Sequence, residues 1–199
     1  IFGVSQGTDI SSTFFSFILN LTDRIVFFWR FNSKSSSPIL IFCIDVNILS
    51  GMIYIAADHR GFRLKEELKK WLEKNLFEFR DLGATKYDQD DDYPLIAIKL
   101  GETVVHENSR GVLICGSGAG ASIAANKVIG VRAGLCTSVK QASASRNDDN
   151  INILCLSSDW ISLDENQKIL EAFLNTLFSS DERHIRRINQ IKDYETKKC

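Results

Sequence analysis

Downstream of Met52 the chain alternates two apolar patterns: short unbroken runs, and stretches in which apolar residues return every three or four positions. "MIYIAA" is a short β-rich run, "DHRG" is a turn, and "FRLKEELKKWLEKN" repeats Leu64, Leu68, Trp71 and Leu72 at helical spacing. A strand and an amphipathic helix are predicted. "FEFRDLG" alternates like a second strand, "ATKYDQDDDYP" is a polar loop, and "LIAIKLGETVVHEN" returns to a helical pattern. "GVLIC", "VRAGL" and "INILCL" predict further strands, with "GASIAANKVI" and "SVKQASASRNDD" between them as short helices and loops. "DENQKILEAFLNTLFSS" and "DERHIRRINQIKDYE" predict closing helices. Continuous apolar strands alternating with helices imply a parallel sheet covered on both faces, hence one α/β domain of about five strands. Ligands of such sheets sit at the carboxyl ends of the strands, which places Asp58, His59 and Cys115 at one rim.

Residues 1–51 break the pattern. They are rich in Phe and Ser, and Asp23, Arg24, Arg30, Lys34 and Asp45 interrupt their apolar runs. No uncharged run reaches the ~18 residues of a membrane helix. A signal peptide's positive n-region and a transit peptide's Arg-rich, acid-poor face are both missing. Since Met52 is the only methionine and precedes the first clean strand, residues 1–51 are expected to be an N-terminal extension outside the folded core. Residues 52–199 are then the functional domain.

Composition narrows the function classes. The 199 residues, 44% hydrophobic and 25% charged, suffice for one domain with a sizeable core. A net charge of −1 without a long basic run argues against nucleic acid or an anionic membrane as the main partner. Cys43, Cys115, Cys136, Cys155 and Cys199 are odd in number and lack C-x-x-C spacing, which fits neither a disulfide framework nor a zinc site. A reducing, cytoplasmic setting is the simpler expectation.

The candidate chemistry centres on "CGSGAGAS", which begins at Cys115, where a strand ends. Backbone N–H groups opening a helix would favour an anion there and would lower the thiol pKa, making thiolate available near neutral pH. A buried packing cysteine is the plainer reading. Gly116, Gly118 and Gly120 permit positive φ and close approach of backbone to a ligand. A dinucleotide fingerprint would need an acidic residue about twenty positions on, where the chain reads "GLCTS". A phosphatase-type loop would need arginine at Ala121. Asp58 and His59 offer a carboxylate and an imidazole that titrates near neutrality, or else a turn cap and a surface histidine. Arg183 and Arg187 share a helical face, either solvated or able to clamp a phosphate.

Taken in order, "IYIAADHRGF", "DDYP", "GVLICGSGAGASIAANKVIGVRAGL", "SRNDDNINIL" and "RHIRRI" resemble the type B ribose-5-phosphate isomerase family, which includes galactose-6-phosphate isomerase subunits. The resemblance runs from Met52 to about Ile191. It implies a Rossmann-like three-layer α/β/α fold with a five-stranded parallel sheet, assembly as a homodimer or tetramer, and no metal or cofactor. It further implies an aldose–ketose isomerisation between ribose 5-phosphate and ribulose 5-phosphate through an enediolate, as in the pentose phosphate pathway. On this resemblance Cys115 is the base, Ser117 assists proton movement between the sugar oxygens, and amides after Cys115 stabilise the oxyanion. Asp58 would contact the sugar; His59, Arg183 and Arg187 would hold the phosphate. Gly116, Gly118, Gly120, Ala121, Ser122 and Asp149 would complete the substrate contacts.

The chain departs from the family at one point. Where the family shows Ser-Arg-x-His-Asn in the loop before its fifth strand, this chain has Asp148 and Asp149 at the last two positions. That histidine is assigned to opening the furanose ring across the dimer interface. An aspartate of ordinary pKa, about 3.9, accepts a proton near pH 7 but scarcely gives one. Ring opening is therefore expected to be slower, or to borrow Asp58 or another group. A six-carbon aldose 6-phosphate substrate, a sugar-phosphate-binding protein with impaired catalysis and a nucleotide-binding domain are the alternatives.

Overall fold

The computed structural model describes residues 25–29, 40–44 and 51–197, in two units, Ile1–Ser50 and Gly51–Cys199. In the first unit the aromatic and β-branched run Ile25–Trp29 (β1) pairs antiparallel with Leu40–Ile44 (β2), Ile25 opposite Ile44 and Trp29 opposite Leu40. The rest of residues 1–50 lies outside the described residues.

The second unit carries the alternation of the sequence. Its strands are Ile53–Ala57 (β3), Phe79–Asp81 (β4), Arg110–Cys115 (β5), Ala133–Leu135 (β6) and Ile153–Ser157 (β7). They form one sheet in the order β4-β3-β5-β7-β6, every pair parallel. Helices Phe62–Lys74 (α1), Tyr93–His106 (α2), Ala119–Ala125 (α3), Val139–Asp149 (α4), Leu163–Asn175 (α5) and Glu182–Thr196 (α6) make up the rest. This is the Rossmann-like α/β/α architecture expected. Among the described residues no helix is long and apolar enough to cross a membrane.

The sheet divides the core in two because successive side chains of a strand point to opposite faces. Ile53, Ile55, Val112, Ile114, Leu154 and Leu156 face a cluster completed by Leu64, Leu68 and Leu72 of α1 and by Ile169, Leu170, Phe173 and Leu174 of α5. Tyr54, Ala56, Leu113, Cys115, Ile153 and Cys155 face the other, completed by Ala97, Leu100 and Val104 of α2 and Ala121, Ala124 and Ala125 of α3. Each large aliphatic or aromatic side chain so buried contributes about 1.5–3 kcal/mol relative to exposure. Small residues on α3 let that helix lie close to the sheet, bringing the glycine loop down onto the strand ends.

Two elements differ from the sequence pattern. Lys65 belongs to the charged run of α1 yet is fully buried, since the ammonium spends its three donors on Asp81 Oδ1 (2.9 Å), Asp81 Oδ2 (2.8 Å) and the Ala84 carbonyl (2.7 Å). The segment around Asp148, expected as a loop, is the last turn of α4. Ser138 caps that helix by accepting from the Gln141 N–H, and Asn150 ends it in the left-handed region at φ 50°.

Candidate active site

Strands β3 and β5 are adjacent in the sheet, and the chain leaves β3 toward one edge (β4) before returning to β5 on the other side. A crevice opens at the carboxyl ends of strands where the winding reverses in this way. Asp58 directly follows β3 and Cys115 ends β5. The Asp58 N–H donates to the Ile114 carbonyl (3.3 Å), which fixes the two ends side by side.

Asp58 is almost fully buried, and its Oδ1 accepts from the Gly61 N–H at 2.9 Å. Burial pushes its pKa up, against the lowering influence of that amide and of His59. A side chain at Gly61 would bring a Cβ within 2.5 Å of the Ile114 carbonyl oxygen, so only glycine lets the turn after β3 pack on β5. Cys115 is 6% exposed, and the Asp58 carboxylate and the amides of Gly118 and Ala121 lie close enough to act on its thiol. The expected lowering of the thiol pKa is overturned: burial pushes it above its usual value and the Asp58 carboxylate pushes the same way, outweighing the two amides.

The glycines of the loop serve different ends. Only Gly118 takes a positive φ, 79°, at the start of α3. Gly116 makes room for Arg60, whose Nε would lie 2.5 Å from a Cβ there, and Gly120 makes room for Tyr93. The loop is anchored from β7: Ser158 N–H donates to the Cys115 carbonyl (3.1 Å), while Asp159 N–H (3.1 Å) and Ser157 Oγ (2.8 Å) donate to that of Gly116. Ser117 Oγ accepts from the Ala119 N–H at 3.4 Å and stays half-buried at the rim. Ala121 is buried. Ser122 spends its N–H on the Gly118 carbonyl and its hydroxyl on the Ala133 carbonyl.

His59 is braced by Asp91, whose Oδ1 accepts from the His59 N–H (3.0 Å) and lies 2.7 Å from Nδ1. The Asp91 carboxylate raises the imidazole pKa. The next residue, Arg60, is ion-paired through Nη2 with Asp159, beyond β7. The sequence pattern assigned no role to Asp91, Arg60 or Asp159. Only "DDYP" and "DHRG" hinted at the first two.

Asp148, Asp149, Arg183 and Arg187 gather elsewhere in the chain. Asp148 is half-buried on α4, with its Oδ1 3.9 Å from Nδ1 of the buried His184, which is 2.8 Å from Ser179 Oγ. Asp149 and Arg187 line a cleft of about 530 Å³ with Arg132, Ser145, Tyr194 and Glu195. None of Asp58, His59, Cys115 or Ser117 lines it. Arg183 is exposed on α6, 3.6 Å from Asp181. Within a single chain the expected site residues therefore fall into two groups, one at the ends of β3 and β5 and one on α4 and α6.

Comparison with known proteins matches residues 53–191 to the family described as Ribose/Galactose Isomerase. Ribose-5-phosphate isomerase B of Mycobacterium tuberculosis is 39% identical over 149 residues, covering 74% of this chain and 92% of that protein. The crystal structure of ribose-5-phosphate isomerase B from Mycoplasma genitalium with bound ribulose-5-phosphate is 43% identical. It superposes with a TM-score of 0.71 over 74% of this chain and 98% of that one. The Clostridium thermocellum ribose-5-phosphate isomerase B structure is 38% identical, with a TM-score of 0.71, covering 74% and 99% of the respective chains.

Proposed function

The chain belongs to the Ribose/Galactose Isomerase family, and from that premise we propose that it interconverts ribose 5-phosphate and ribulose 5-phosphate through an enediolate. The observation that carries this reading is the buried Asp58 carboxylate set beside the buried Cys115 thiol at the reversal of the sheet winding. Aldose–ketose isomerisation moves a proton from C2 to C1 and leaves the oxidation level of the whole sugar unchanged, so acid–base groups suffice. The resting thiol passes its proton to Asp58, and the thiolate takes the proton at C2. The amides of Gly118 and Ala121 steady the sulfur while it is charged. The thiol then returns a proton to C1, and Ser117 carries the O2 proton to O1.

The phosphate is bound by the charged His59, with Arg183 and Arg187 supplied by a second copy. The resemblance brings the segment around Asp148 from a second subunit, and the arginines would come with it because α6 packs beside Asp148 through His184. Asp148, with His184 behind it, would reach the ring oxygen from that second copy. A homodimer in the cytoplasm, working in pentose phosphate metabolism, follows on this reading, with residues 1–51 outside the catalytic unit.

The test is conversion of ribose 5-phosphate by the full chain beside Cys115→Ala, with an aldose 6-phosphate as control. Loss of a positioned base costs about a hundred- to ten-thousandfold in rate, and that loss is expected in the variant. A variant as active as the parent would remove Cys115 from the chemistry, and a folded parent without turnover would leave a sugar-phosphate binder.

A further inference from the structure

The tripeptide Asp58-His59-Arg60 leaves β3 with all three side chains tied down. Asp58 faces Cys115, and the two cations that follow are each braced by an aspartate distant in sequence, His59 by Asp91 and Arg60 by Asp159. Arg60 reaches from the end of β3 across Gly116 to the far side of β5. The guanidinium lies so close over that residue that a Cβ would meet Nε at 2.5 Å, Cζ at 2.7 Å and Cδ at 2.9 Å. Long cationic side chains at a surface ordinarily sample many rotamers. Here the half-exposed side chain lies over the backbone of Gly116, next to Cys115, and is paired with Asp159.

Asp159 is fixed in its turn. Its N–H donates to the Gly116 carbonyl at 3.1 Å, and its Oδ1 accepts from Ser158 Oγ at 3.3 Å. Only Nη2 of Arg60 is spent on the pair, so Nε and Nη1 have no partner among the described residues. A planar fork with free donors, laid over Gly116 and adjacent in sequence to His59, suits a tetrahedral oxyanion better than a hydroxyl.

We infer that Arg60 is a phosphate-binding residue of this site, contacting the phosphoryl oxygens of the sugar phosphate together with His59, and that Asp159 is the positioning residue that holds it there. The inference rests on the isomerase reading for the identity of the sugar phosphate, but not for the anion. Phosphate is thereby anchored from within the chain that supplies Cys115, in addition to any arginines brought by a second copy.

The experiment measures binding of inorganic phosphate and of ribose 5-phosphate to the full chain by calorimetry, for the parent, Arg60→Gln, Arg60→Lys and Asp159→Ala. Arg63→Gln, an exposed position on α1, is the control for surface charge. Arg60→Gln is expected to weaken both ligands about tenfold, the scale of one charge-assisted hydrogen bond, with Arg60→Lys recovering part of the loss. Where the parent turns over, KM should rise by that factor while kcat falls much less. Phosphate binding as tight in Arg60→Gln as in the parent overturns the inference whatever the turnover. A parent that binds but does not isomerise overturns the isomerase reading alone. Asp159→Ala should alter phosphate affinity only while Arg60 is present, and an equal change in the Arg60→Gln background overturns its positioning role.

Discussion

Burial and a neighbouring carboxylate act on the Cys115 thiol in one direction, upward, and the consequences are measurable. On the proposed mechanism Asp58 takes the thiol proton within the site, so the working form has the carboxyl ionised and the thiol protonated, and kcat is expected to rise with pH as Asp58 loses its own proton and then to level off. Asp58→Asn removes the carboxylate charge and lowers the thiol pKa. Alkylation of Cys115 by iodoacetamide at fixed neutral pH should then speed up, whereas isomerisation should slow because the group that accepts the thiol proton is gone. Alkylation unchanged by the substitution would show that Asp58 has no hold on the sulfur. His59 runs the other way in charge: its pKa is raised, so the cation survives above the usual imidazole range. Its contribution to folding is complete below the unfolded pKa and is lost as pH rises through the folded one. Phosphate affinity should fall over that same upper window, and Asp91→Asn should move the fall to lower pH in a binding titration. The rim positions of Asp58, His59 and Cys115 were legible in the sequence because each stands where an apolar run stops. The braces were not, since Asp91 lies 32 residues from His59 and Asp159 lies 99 from Arg60.

At the scale of elements, the sequence pattern located every strand of the parallel sheet but left α4 as a mixture of short helix and loop. That helix has few apolar residues and only Ala142 fully buried, so no periodic stripe marks it; its caps, Ser138 and Asn150, were the available signal. Lys65 was unreadable for a related reason: periodicity sorts residues by polarity, and a lysine is buried only when a partner waits on another element. Asp81 on β4 is that partner, which makes the pair a strut between α1 and the sheet edge. Asp81→Ala strands a buried ammonium and is expected to cost roughly 3–5 kcal/mol in urea unfolding. Lys65→Met with Asp81→Leu should recover most of that cost. Gly118→Ala forces a side chain into the left-handed region and against Leu135. It is expected to lower stability by about 1–2 kcal/mol or more, read from the same transition.

For the whole molecule, the separation of Cys115 from Arg187 and Asp148 within one chain bears directly on assembly. If the catalytic centre is shared between copies, Cys115→Ala and Arg187→Ala chains should each be impaired alone and should regain activity when mixed under conditions that exchange subunits. Mixtures no better than the sum of their parts, or a fully active monomer in sedimentation, would place both groups of residues at work in one chain. A chain beginning at Met52 should retain the activity, because both halves of the core are built from residues after it. The general architecture was legible because parallel strands covered on both faces must be apolar throughout. Which group meets which is a property of symmetry, and symmetry leaves no mark on the pattern of a single chain.

The protonated resting state of Cys115 also bears on durability. Attack by peroxide follows thiolate character and access, and this sulfur offers little of either: it is 6% exposed and held as a thiol beside a carboxylate. On the proposed mechanism, a base that becomes anionic only as it is used would spend little time on the first rung toward sulfenic acid. Turnover should therefore survive hydrogen peroxide exposure at neutral pH and decline as the medium is made alkaline, where a standing thiolate shortens the working life of the protein.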